Sequence, residues 1–289
     1  MIVNLEKKYK FSFCVGVVAV DISSLTVSGI RELLDQEGGP KQELLAAMAK
    51  DPRSAVRAMC RRYMAARQKL DDLRRRREEM REYESGLKEP GHRLVAGVDE
   101  AGRGPLAGPV VAATVILPAE FSLEGLDDSK KLTPATRVTL AAGIKKTALD
   151  WAVGMATVDE IEKYNIHHAS MLAMLRAVGN LTLKPDLLLV DGRFTLPELD
   201  VDQKAVVGGD GLCPSIAAAS VVAKVTRDCL MDILHILYPE YGFDRHKGYG
   251  TASHLAALSV FGPCPVHRRG FTPVRQLIDG RYSSTENQG

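Results

Sequence analysis

The sequence predicts an α/β protein: a mixed β-sheet flanked by helices, preceded by a small helical N-terminal extension. Residues 25–87 show helical periodicity with almost no strand signal, whereas from Arg93 onward short β-branched segments alternate with helical ones. The first three of these later strands are joined by tight links and the others are separated by helices. This order is typical of a sheet with both antiparallel and parallel pairs.

The composition is that of an ordinary globular protein and excludes few functions. The 289 residues are 45% hydrophobic and 26% charged, with a formal net charge of +2. Such a charge does not exclude nucleic-acid binding, because the distribution of basic residues matters more than their sum. The five cysteines contain no CxxC pair, which disfavours a disulfide framework or a structural zinc site and indicates reduced thiols in the cytoplasm.

The first residues resemble a secretory signal only faintly. Basic residues precede an apolar run from Phe11 to Val20, but Gly16 interrupts the run and no small-residue cleavage site follows it. The run is also too short to cross a membrane. We therefore treat residues 1–24 as a leader that need not fold, and we expect no membrane association.

Three helices are predicted in the extension, which we place at residues 25–90. Thr26 is the expected cap of the first, Gly38-Gly39-Pro40 its end, and Asp51-Pro52 the start of the third. The second would carry Leu44, Leu45 and Met48. The third has apolar residues at a spacing of three and four that keeps them on one stripe: Val56, Met59, Tyr63, Ala66, Leu70, Leu73 and Met80.

The opposite face of the third helix carries a run of four arginines, Arg74 to Arg77. This run is compatible with a solvated face that has Glu78, Glu79 and Glu82 as partners. The alternative is an auxiliary contact for a nucleic-acid backbone. Gly86, Pro90 and Gly91 then mark a linker to the second domain, which we place at residues 91–289.

The second domain is predicted to contain five strands and several long helices. The strands are Leu94–Val98, Val110–Leu117, Trp151–Val158, Leu187–Val190 and Ala205–Val207. The helices are one opened by Thr133-Pro134, Asn165–Leu181, Pro214–Leu237, and one that starts at Thr251.

Acidic residues follow three of these strands directly. Asp99 and Glu100 end the first strand, Asp191 the fourth and Asp210 the fifth. Strand ends in an open α/β sheet meet at one edge, so we expect the four carboxylates to converge there. Carboxylates this close repel one another unless cations neutralise them, and all-oxygen ligands favour Mg²⁺ or Mn²⁺. A pair of such ions is typical of phosphoryl displacement.

A competing candidate for the fourth acid is Asp228, which lies within the predicted helix Pro214–Leu237. There it follows Lys224 by four residues, a spacing that favours a salt bridge on the helix surface. We therefore assign Asp210 to the site.

The glycines in 102-GRGPLAG-108 do not indicate a nucleotide-binding motif. A strand follows them instead of the helix that a dinucleotide fold requires, and the P-loop pattern is absent from the sequence. Two interpretations stay open: a close approach of the backbone to a substrate, or a tight turn between paired strands.

Several motifs of the second domain resemble the ribonuclease HII family of bacteria. They are 97-GVDEAGRGP-105, 128-DSKKL-132, 165-NIH-167, 190-VDG-192, 214-PSIAAASVVAKVTRD-228 and 241-YGFDRHKGYGT-251. The resemblance runs in order from Arg93 to Val274, and the helical leader is similar to an N-terminal extension found in some members. The arginine in Arg103-Gly104-Pro105 favours type HII over the related type HIII.

The resemblance implies a ribonuclease H-like fold and an endoribonuclease that cleaves the RNA strand of RNA–DNA hybrids. Single ribonucleotides embedded in duplex DNA would also be nicked on their 5′ side, leaving a 3′-hydroxyl and a 5′-phosphate. The implied metal ligands are Asp99, Glu100, Asp191 and Asp210, with Mg²⁺ or Mn²⁺. A type HIII-like enzyme and a hybrid-binding protein without catalysis are the alternatives, and we expect a cytoplasmic monomer.

The resemblance also implies substrate contacts. Gly102, Arg103, Gly104 and Tyr249 would read the ribose 2′-hydroxyl, the group that distinguishes RNA from DNA. Phosphate contacts would come from Ser129, Lys130, Lys224 and Arg227. One departure from the family is Gly209, because a lysine often precedes the fourth acid. His246 and His254 lie eight residues apart without the spacing of a zinc site, and His167 and His168 are expected to pack or cap at a helix start.

Overall fold

The computed structural model describes residues 21–35, 39–121, 126 and 133–280. It divides into two compact units, one that ends at Arg75 and one that begins at Arg76. The predictions for residues 1–20 and for 128–132 lie outside the described residues. In the described part of the chain, no helix is both long and apolar enough to cross a membrane.

The first unit contains helices α1, α2 and the first part of α3. Their bounds are Val27–Leu34, Gln42–Lys50 and Ser54–Gly86. Thr26 caps α1 as predicted, because its hydroxyl accepts the N–H of Gly29 at 3.1 Å. Apolar residues of the three helices form one buried cluster, which includes Ile30, Leu34, Leu44, Met48 and Val56.

Two predicted helix boundaries in this unit are wrong. Helix α1 ends at Leu34, before the predicted Gly38-Gly39-Pro40. Helix α3 begins at Ser54 and not at Pro52. The carboxylate of Asp51 accepts the backbone N–H of Arg53 at 2.8 Å and also binds its guanidinium, which holds a turn just before the helix.

The apolar stripe of α3 is buried only towards its two ends. Val56 packs in the cluster of the first unit and Met80 in a core of the second, whereas Leu70 between them is 38% exposed. The boundary between the units falls within this exposed stretch. On the basic face, Arg74 and Arg75 lie 3.8 and 3.0 Å from the acids that precede the run, Asp71 and Asp72.

The second unit is built on a five-stranded sheet with the order β3-β2-β1-β4-β5. The strands are β1 Val95–Ala101, β2 Val110–Ile116, β3 Asp150–Ala156, β4 Leu187–Asp191 and β5 Asp202–Val206. The pairs β1–β2 and β2–β3 are antiparallel, and β1–β4 and β4–β5 are parallel. The predicted mixed sheet is therefore confirmed.

Helices cover both faces of this sheet. Their bounds are α4 Pro134–Thr147, α5 Val158–Gly179, α6 Pro214–Leu237, α7 Phe243–His246, α8 Ala252–Phe261 and α9 Val274–Ile278. Helices α4 and α6 pack on one face of β2, and α5 packs on the other. The caps Thr133 and Thr251 and the bounds of α6 are confirmed.

Helix α5 begins earlier than predicted, at Val158. Thr157 and Glu160 form a capping box there, each side chain bonding the other residue's backbone N–H. Asn165, where the helix was predicted to start, interrupts it with a φ of 64°. Its side-chain oxygen accepts the N–H groups of His167 and His168 and starts the second part of the helix.

Close packing fixes α6 against the first strand. A Cβ on Gly97 of β1 would lie 2.2 Å from the backbone carbon of Ser215, so only glycine allows this approach. Glu84, near the end of α3, accepts the N–H and the hydroxyl of Ser215 at 2.9 and 2.8 Å. A carboxylate at this helix N-terminus stabilises the unpaired N–H groups there. The last turns of α3 thus pack with the second unit.

Candidate active site

The sheet register brings Asp99 and Asp191 to the same edge. Strands β1 and β4 are parallel neighbours with Val98 opposite Val190, so the next residue of each strand is one of the two acids. Asp191 lies opposite Val206 in β5, which leads into the turn with Asp210. The observed topology therefore brings together the strand ends that carry Asp99 and Asp191, and the convergence of all four carboxylates stays a prediction.

Asp99 and Glu100 are acids in a poorly solvated position. Asp99 is only 5% exposed and faces α6, where Ser220 lies beside it, and its carboxylate accepts the N–H of Glu100 at 2.7 Å. Burial raises the pKa of Asp99 well above its usual value, and the charges of Glu100 and Asp191 raise it further. The three carboxylates therefore share one electrostatic environment.

Glu100 also has a raised pKa, again chiefly because of burial. Arg103, at 3.2 Å from Glu100 Oε1, opposes the shift, and the charge of Asp191 adds to it. The second oxygen, Oε2, is buried and has no hydrogen-bond partner among the described residues. A buried acceptor without a partner is costly, and it is the kind of atom that a bound cation would satisfy.

The turn after β5 supports Asp191. Gly209 donates its N–H to Asp191 Oδ1 at 2.7 Å, and Asp210 follows in a short 3₁₀ helix, Gly209–Gly211. A Cβ on Gly209 would lie 2.4 Å from Ile216 Cδ1, so a lysine at this position requires Ile216 to move. Any residue except proline could donate this N–H, so glycine matters here for the close approach to Ile216 and not for the hydrogen bond.

The donor set fits a hard divalent cation in its chemistry. Asp99, Glu100, Asp191 and Asp210 offer only carboxylate oxygens, the ligands that Mg²⁺ and Mn²⁺ prefer. Among the described residues, no group of three or more acidic, histidine or cysteine side chains is already arranged around a common point as a metal site. The unpartnered Glu100 oxygen and the mutual charge effects on Asp99 are the observations that favour a cation here.

The glycine loop, residues 102–109, borders this acidic edge. Gly102 and Gly108 have positive φ angles of 98° and 86°, in the region that favours glycine. A Cβ on Gly102 would lie 1.9 Å from Nε of Arg227, whereas one on Gly104 would meet the Tyr249 ring at 3.8 Å. The loop is thus tightly packed behind Gly102 and faces Tyr249 at Gly104.

Tyr249 stands in a cleft of about 350 Å³ that we call the tyrosine cleft. Glu100, Gly102 and Lys224 also line it, together with Arg137. Tyr249 is 45% exposed, and Lys224 Nζ lies 5.8 Å from the centre of its ring. The structure therefore brings the predicted ribose-reading residues and one predicted phosphate contact together beside Glu100.

Arg227 does not lie where a phosphate contact requires it. Its side chain is completely buried and donates to the carbonyl oxygens of Ala107, Pro109 and Lys247 at 3.2, 3.2 and 3.0 Å. The predicted phosphate contact is wrong for this residue, since a guanidinium without exposed surface cannot reach a duplex. Its neighbour Asp228 forms the predicted helix-surface salt bridge with Lys224 at 2.7 Å.

A second cleft, of about 330 Å³, lies on the other side of Glu100, and we call it the histidine cleft. Asp191, Arg193 and His167 line it, and Phe194 at its mouth is 61% exposed. His167 was predicted only to pack or cap. Asn165 does start the second part of α5 just before it, as predicted, but no sequence pattern linked that helix start to the end of β4.

Other parts of the site were also missed or are not described. Ser220 precedes Lys224 by four residues on α6, so the helical spacing alone could have placed it on the site face. Arg268 contacts the glycine loop from 160 residues further along the chain, and nothing in the sequence points to that contact. Ser129 and Lys130 lie outside the described residues, so their phosphate contacts stay predictions.

Comparisons with known proteins agree with this architecture. The family model described as Ribonuclease HII matches residues 96–274, and the one described as Ribonuclease HII N-terminal domain matches residues 26–88. The ribonuclease HII of Pelotomaculum thermopropionicum is 52% identical over 256 residues, which cover 88% of this chain and 96% of the relative.

Solved structures show the same fold. The ribonuclease H2 of Pyrococcus horikoshii OT3 has a TM-score of 0.57 and 27% identity, and the match covers 65% of this chain and 99% of that one. A ribonuclease HIII, Bst-RNase HIII, solved in complex with Mn²⁺, has a TM-score of 0.50 at 16% identity, with 66% of this chain and 71% of that one covered.

The fold and the family matches define the class of protein, a type 2 ribonuclease H. The chain belongs to the ribonuclease HII family. It is an endoribonuclease that acts on RNA–DNA hybrids. The family resemblance, the ribonuclease H-like fold and the enzyme class predicted from the sequence are therefore confirmed.

Proposed function

We propose that this enzyme nicks duplex DNA on the 5′ side of a single embedded ribonucleotide, leaving a 3′-hydroxyl and a 5′-phosphate. The observation that carries the proposal is the placement of Glu100 and Tyr249 in one cleft with the glycine loop. A nucleotide whose ribose lay against Gly102 and Tyr249 would have its neighbouring phosphate on the side of Glu100.

The proposed metal ligands are Asp99, Glu100, Asp191 and Asp210, and the proposed cofactors are two Mg²⁺ or Mn²⁺ ions. When bound, such ions would neutralise the carboxylates and stabilise the attacking and leaving oxygens of phosphate hydrolysis. Support comes from the oxygen-only donor set, from the raised pKa of Asp99 and from the buried Glu100 Oε2 without a partner in the described chain.

The chain's own groups would select the ribonucleotide. Backbone N–H groups of the glycine loop can donate to the 2′-hydroxyl, and a deoxyribose offers them no acceptor at that position. Tyr249 would pack against the sugar, since its ring is 45% exposed and Gly104 next to it has no side chain. Arg103 would stay near the site through its ion pair with Glu100.

Phosphates beyond the cleavage point would be held without reading sequence. Lys224 is the described residue placed for this, because its side chain is 31% exposed and lines the tyrosine cleft. Ser129 and Lys130 are the other proposed contacts. A cytoplasmic location and a monomeric state remain predictions from the sequence.

The test is a nicking assay on three duplexes of one sequence: all DNA, DNA with one ribonucleotide, and an RNA–DNA hybrid. The proposal expects a single 5′-side nick at the ribonucleotide with Mg²⁺ or Mn²⁺, cleavage of the hybrid, and no cleavage of the DNA. Cleavage of the hybrid together with failure on the single ribonucleotide would contradict the proposal and favour a type HIII-like specificity.

A further inference from the structure

Two arginines lie fully buried behind the glycine loop. Arg227 of α6 and Arg268, in the segment between α8 and α9, are both 0% exposed. Arg268 donates to the carbonyl oxygens of Gly102 at 2.6 Å, Arg103 at 2.8 Å and Gly108 at 2.9 and 2.8 Å. Its own backbone N–H donates to Leu106 at 2.8 Å.

Burying two positive charges side by side is unfavourable, so it requires an explanation. Neither guanidinium has a carboxylate partner among the residues that the structure describes. Burial lowers the pKa of Arg268 to about 9, and the charge of Arg227 adds to that shift. Among the described residues, the hydrogen bonds that the two guanidinium groups donate all go to backbone carbonyls, and most of these carbonyls belong to one loop.

Bonds to the carbonyls of Gly102 and Arg103 fix the direction of two peptide groups. In a trans peptide the C=O and the N–H point in opposite directions. The N–H groups of Arg103 and Gly104 belong to the same two peptide groups, so they point away from Arg268. Arg103 and Gly104 are themselves exposed, and Gly104 lies next to Tyr249.

We infer that Arg268 is a positioning residue for ribose recognition: it holds two loop carbonyls inward so that the N–H groups of Arg103 and Gly104 face the 2′-hydroxyl. The guanidinium suits this role because its five donors form a rigid fork that can hold several carbonyls at once. The inference rests on the proposed function, in which the loop reads the ribose.

Arg227 provides a matched control for this inference. It is equally buried and also donates to three carbonyls, but these belong to Ala107, Pro109 and Lys247 and not to the two peptide groups in question. A lysine at either position keeps the positive charge but loses the planar set of five guanidinium donors. General damage to the loop would affect both variants alike, whereas loss of positioning would be specific to Arg268→Lys.

The experiment measures binding in the presence of a chelator, so that the duplex stays intact. Kd is determined for a duplex with one ribonucleotide and for the all-DNA duplex of the same sequence. The ratio of the two values is the ribose preference. For the wild type we expect a clear preference, and for Arg268→Lys a preference about tenfold smaller, which corresponds to the loss of one or two hydrogen bonds.

The Arg227→Lys variant should keep most of the ribose preference even if its overall affinity falls. An unchanged preference in Arg268→Lys, or an equal loss in both variants, overturns the inference. Absence of any ribose preference in the wild type instead contradicts ribose reading in the proposed function, so the two failures are distinguishable.

A measurement on the unmodified protein covers the case in which Arg268→Lys does not fold. Amide hydrogen exchange of Arg103 and Gly104 is compared between the free protein and its complexes with the two duplexes, again with chelator. The inference expects protection of both amides by the ribonucleotide duplex and much less by the all-DNA duplex. Equal exchange in the two complexes, from a protein whose Kd values still show a ribose preference, would overturn it.

Discussion

Two regions of the second unit bury like charges: the acidic edge of the sheet, with Asp99 and Glu100, and the basic layer behind the glycine loop, with Arg227 and Arg268. They differ in how far hydrogen bonds satisfy the buried groups. At the edge, Asp99 and Glu100 are like charges with raised pKa values, and Glu100 Oε2 has no partner in the described chain. In the basic layer, Arg227 and Arg268 are more deeply buried, yet several carbonyls satisfy each of them.

This difference indicates that the acidic edge is a ligand site and that the basic layer supports the backbone of the loop. Unsatisfied buried acceptors raise the free energy of the empty site, and a bound cation would lower it. Satisfied buried donors instead hold the backbone in one arrangement. We therefore expect substitutions at the acidic edge to lower the cleavage rate. Substitutions in the basic layer should alter the ribose preference and the stability of the protein.

The largest effect is expected from Asp99→Asn or Asp191→Asn. Removing one charge from the proposed cation site should lower the cleavage rate about 10³-fold, since a metal supplies several kcal/mol of transition-state stabilisation. Single-turnover cleavage of the single-ribonucleotide duplex measures the rate, and Kd in chelator should change little. Retention of the rate within tenfold in both variants would contradict the assignment.

The fourth acid is tested by comparing Asp210→Asn with Asp228→Asn in the same assay. We expect a loss of about 10²-fold or more for Asp210, as a metal ligand. For Asp228, whose role is a partly exposed salt bridge with Lys224, the loss should stay within about fivefold. A larger loss for Asp228→Asn than for Asp210→Asn would indicate that Asp228 of α6 is the fourth metal ligand.

A smaller effect is expected from Tyr249→Ala, which removes the ring that faces Gly104. Loss of one aromatic contact with a nucleotide should weaken binding of the ribonucleotide duplex about tenfold. Tyr249→Phe keeps the ring and is the matched control, with an expected change within about threefold. Equal losses in the two variants would assign the effect to the phenol hydroxyl and not to packing.

A stability effect is expected from two buried histidines that hold the segment around Tyr249. His254 Nδ1 donates to the Tyr249 carbonyl at 2.9 Å, and its Nε2 accepts from His267 Nε2 at 3.0 Å. His267 Nδ1 in turn accepts the N–H of Cys264 at 3.0 Å. Both rings must be neutral in this chain of bonds, and burial lowers the pKa of each to about 4.

The sign of the pH dependence follows from this shift. Below about 6.5 the unfolded chain binds protons at these histidines, and the folded protein does not until the pH approaches 4. Stability should therefore fall as pH decreases from 6.5 towards 4, by about 1 kcal/mol per pH unit for each histidine. Urea unfolding at several pH values measures it; the same slope in a His267→Gln variant would contradict this account.

The smallest effect is expected on the basic face of α3. If Arg74 and Arg75 contact a duplex, replacing both with alanine should reduce the salt slope of binding by about 1 to 2. Arg61 and Arg62 on the same helix provide the control pair. An unchanged slope would favour the solvated face, in which these arginines pair with Asp71 and Asp72. Substitution is preferable to deletion of residues 1–90, which would remove Glu84 from α6.

Much of the candidate site could be proposed from the sequence because its residues lie next to strong local patterns. Asp99, Glu100 and Asp191 end apolar strands, and parallel pairing of β1 with β4 brings those ends together. Arg268 could not be found this way. Its partners are carbonyl groups of a loop distant in sequence, and any residue supplies a carbonyl, so no side-chain pattern records the contact.

The fold was predictable where one strong signal decided an element. Proline at the first turn fixed the start of α6, and threonine caps fixed α4 and α8. The start of β5 at Asp202 was missed because this edge strand is mostly polar. The apolar stripe of α3 included Met80, but the pattern gave no sign that Met80 and Glu84 pack with the second unit.

The most direct test of the central claim is a Mn²⁺ titration of the wild-type protein and of Asp191→Asn, with free Mn²⁺ followed by its electron paramagnetic resonance signal. The account predicts that the wild type removes Mn²⁺ from solution and that the variant does so much more weakly. Equal Mn²⁺ binding by both proteins would contradict a cation site built from the acids of β1 and β4.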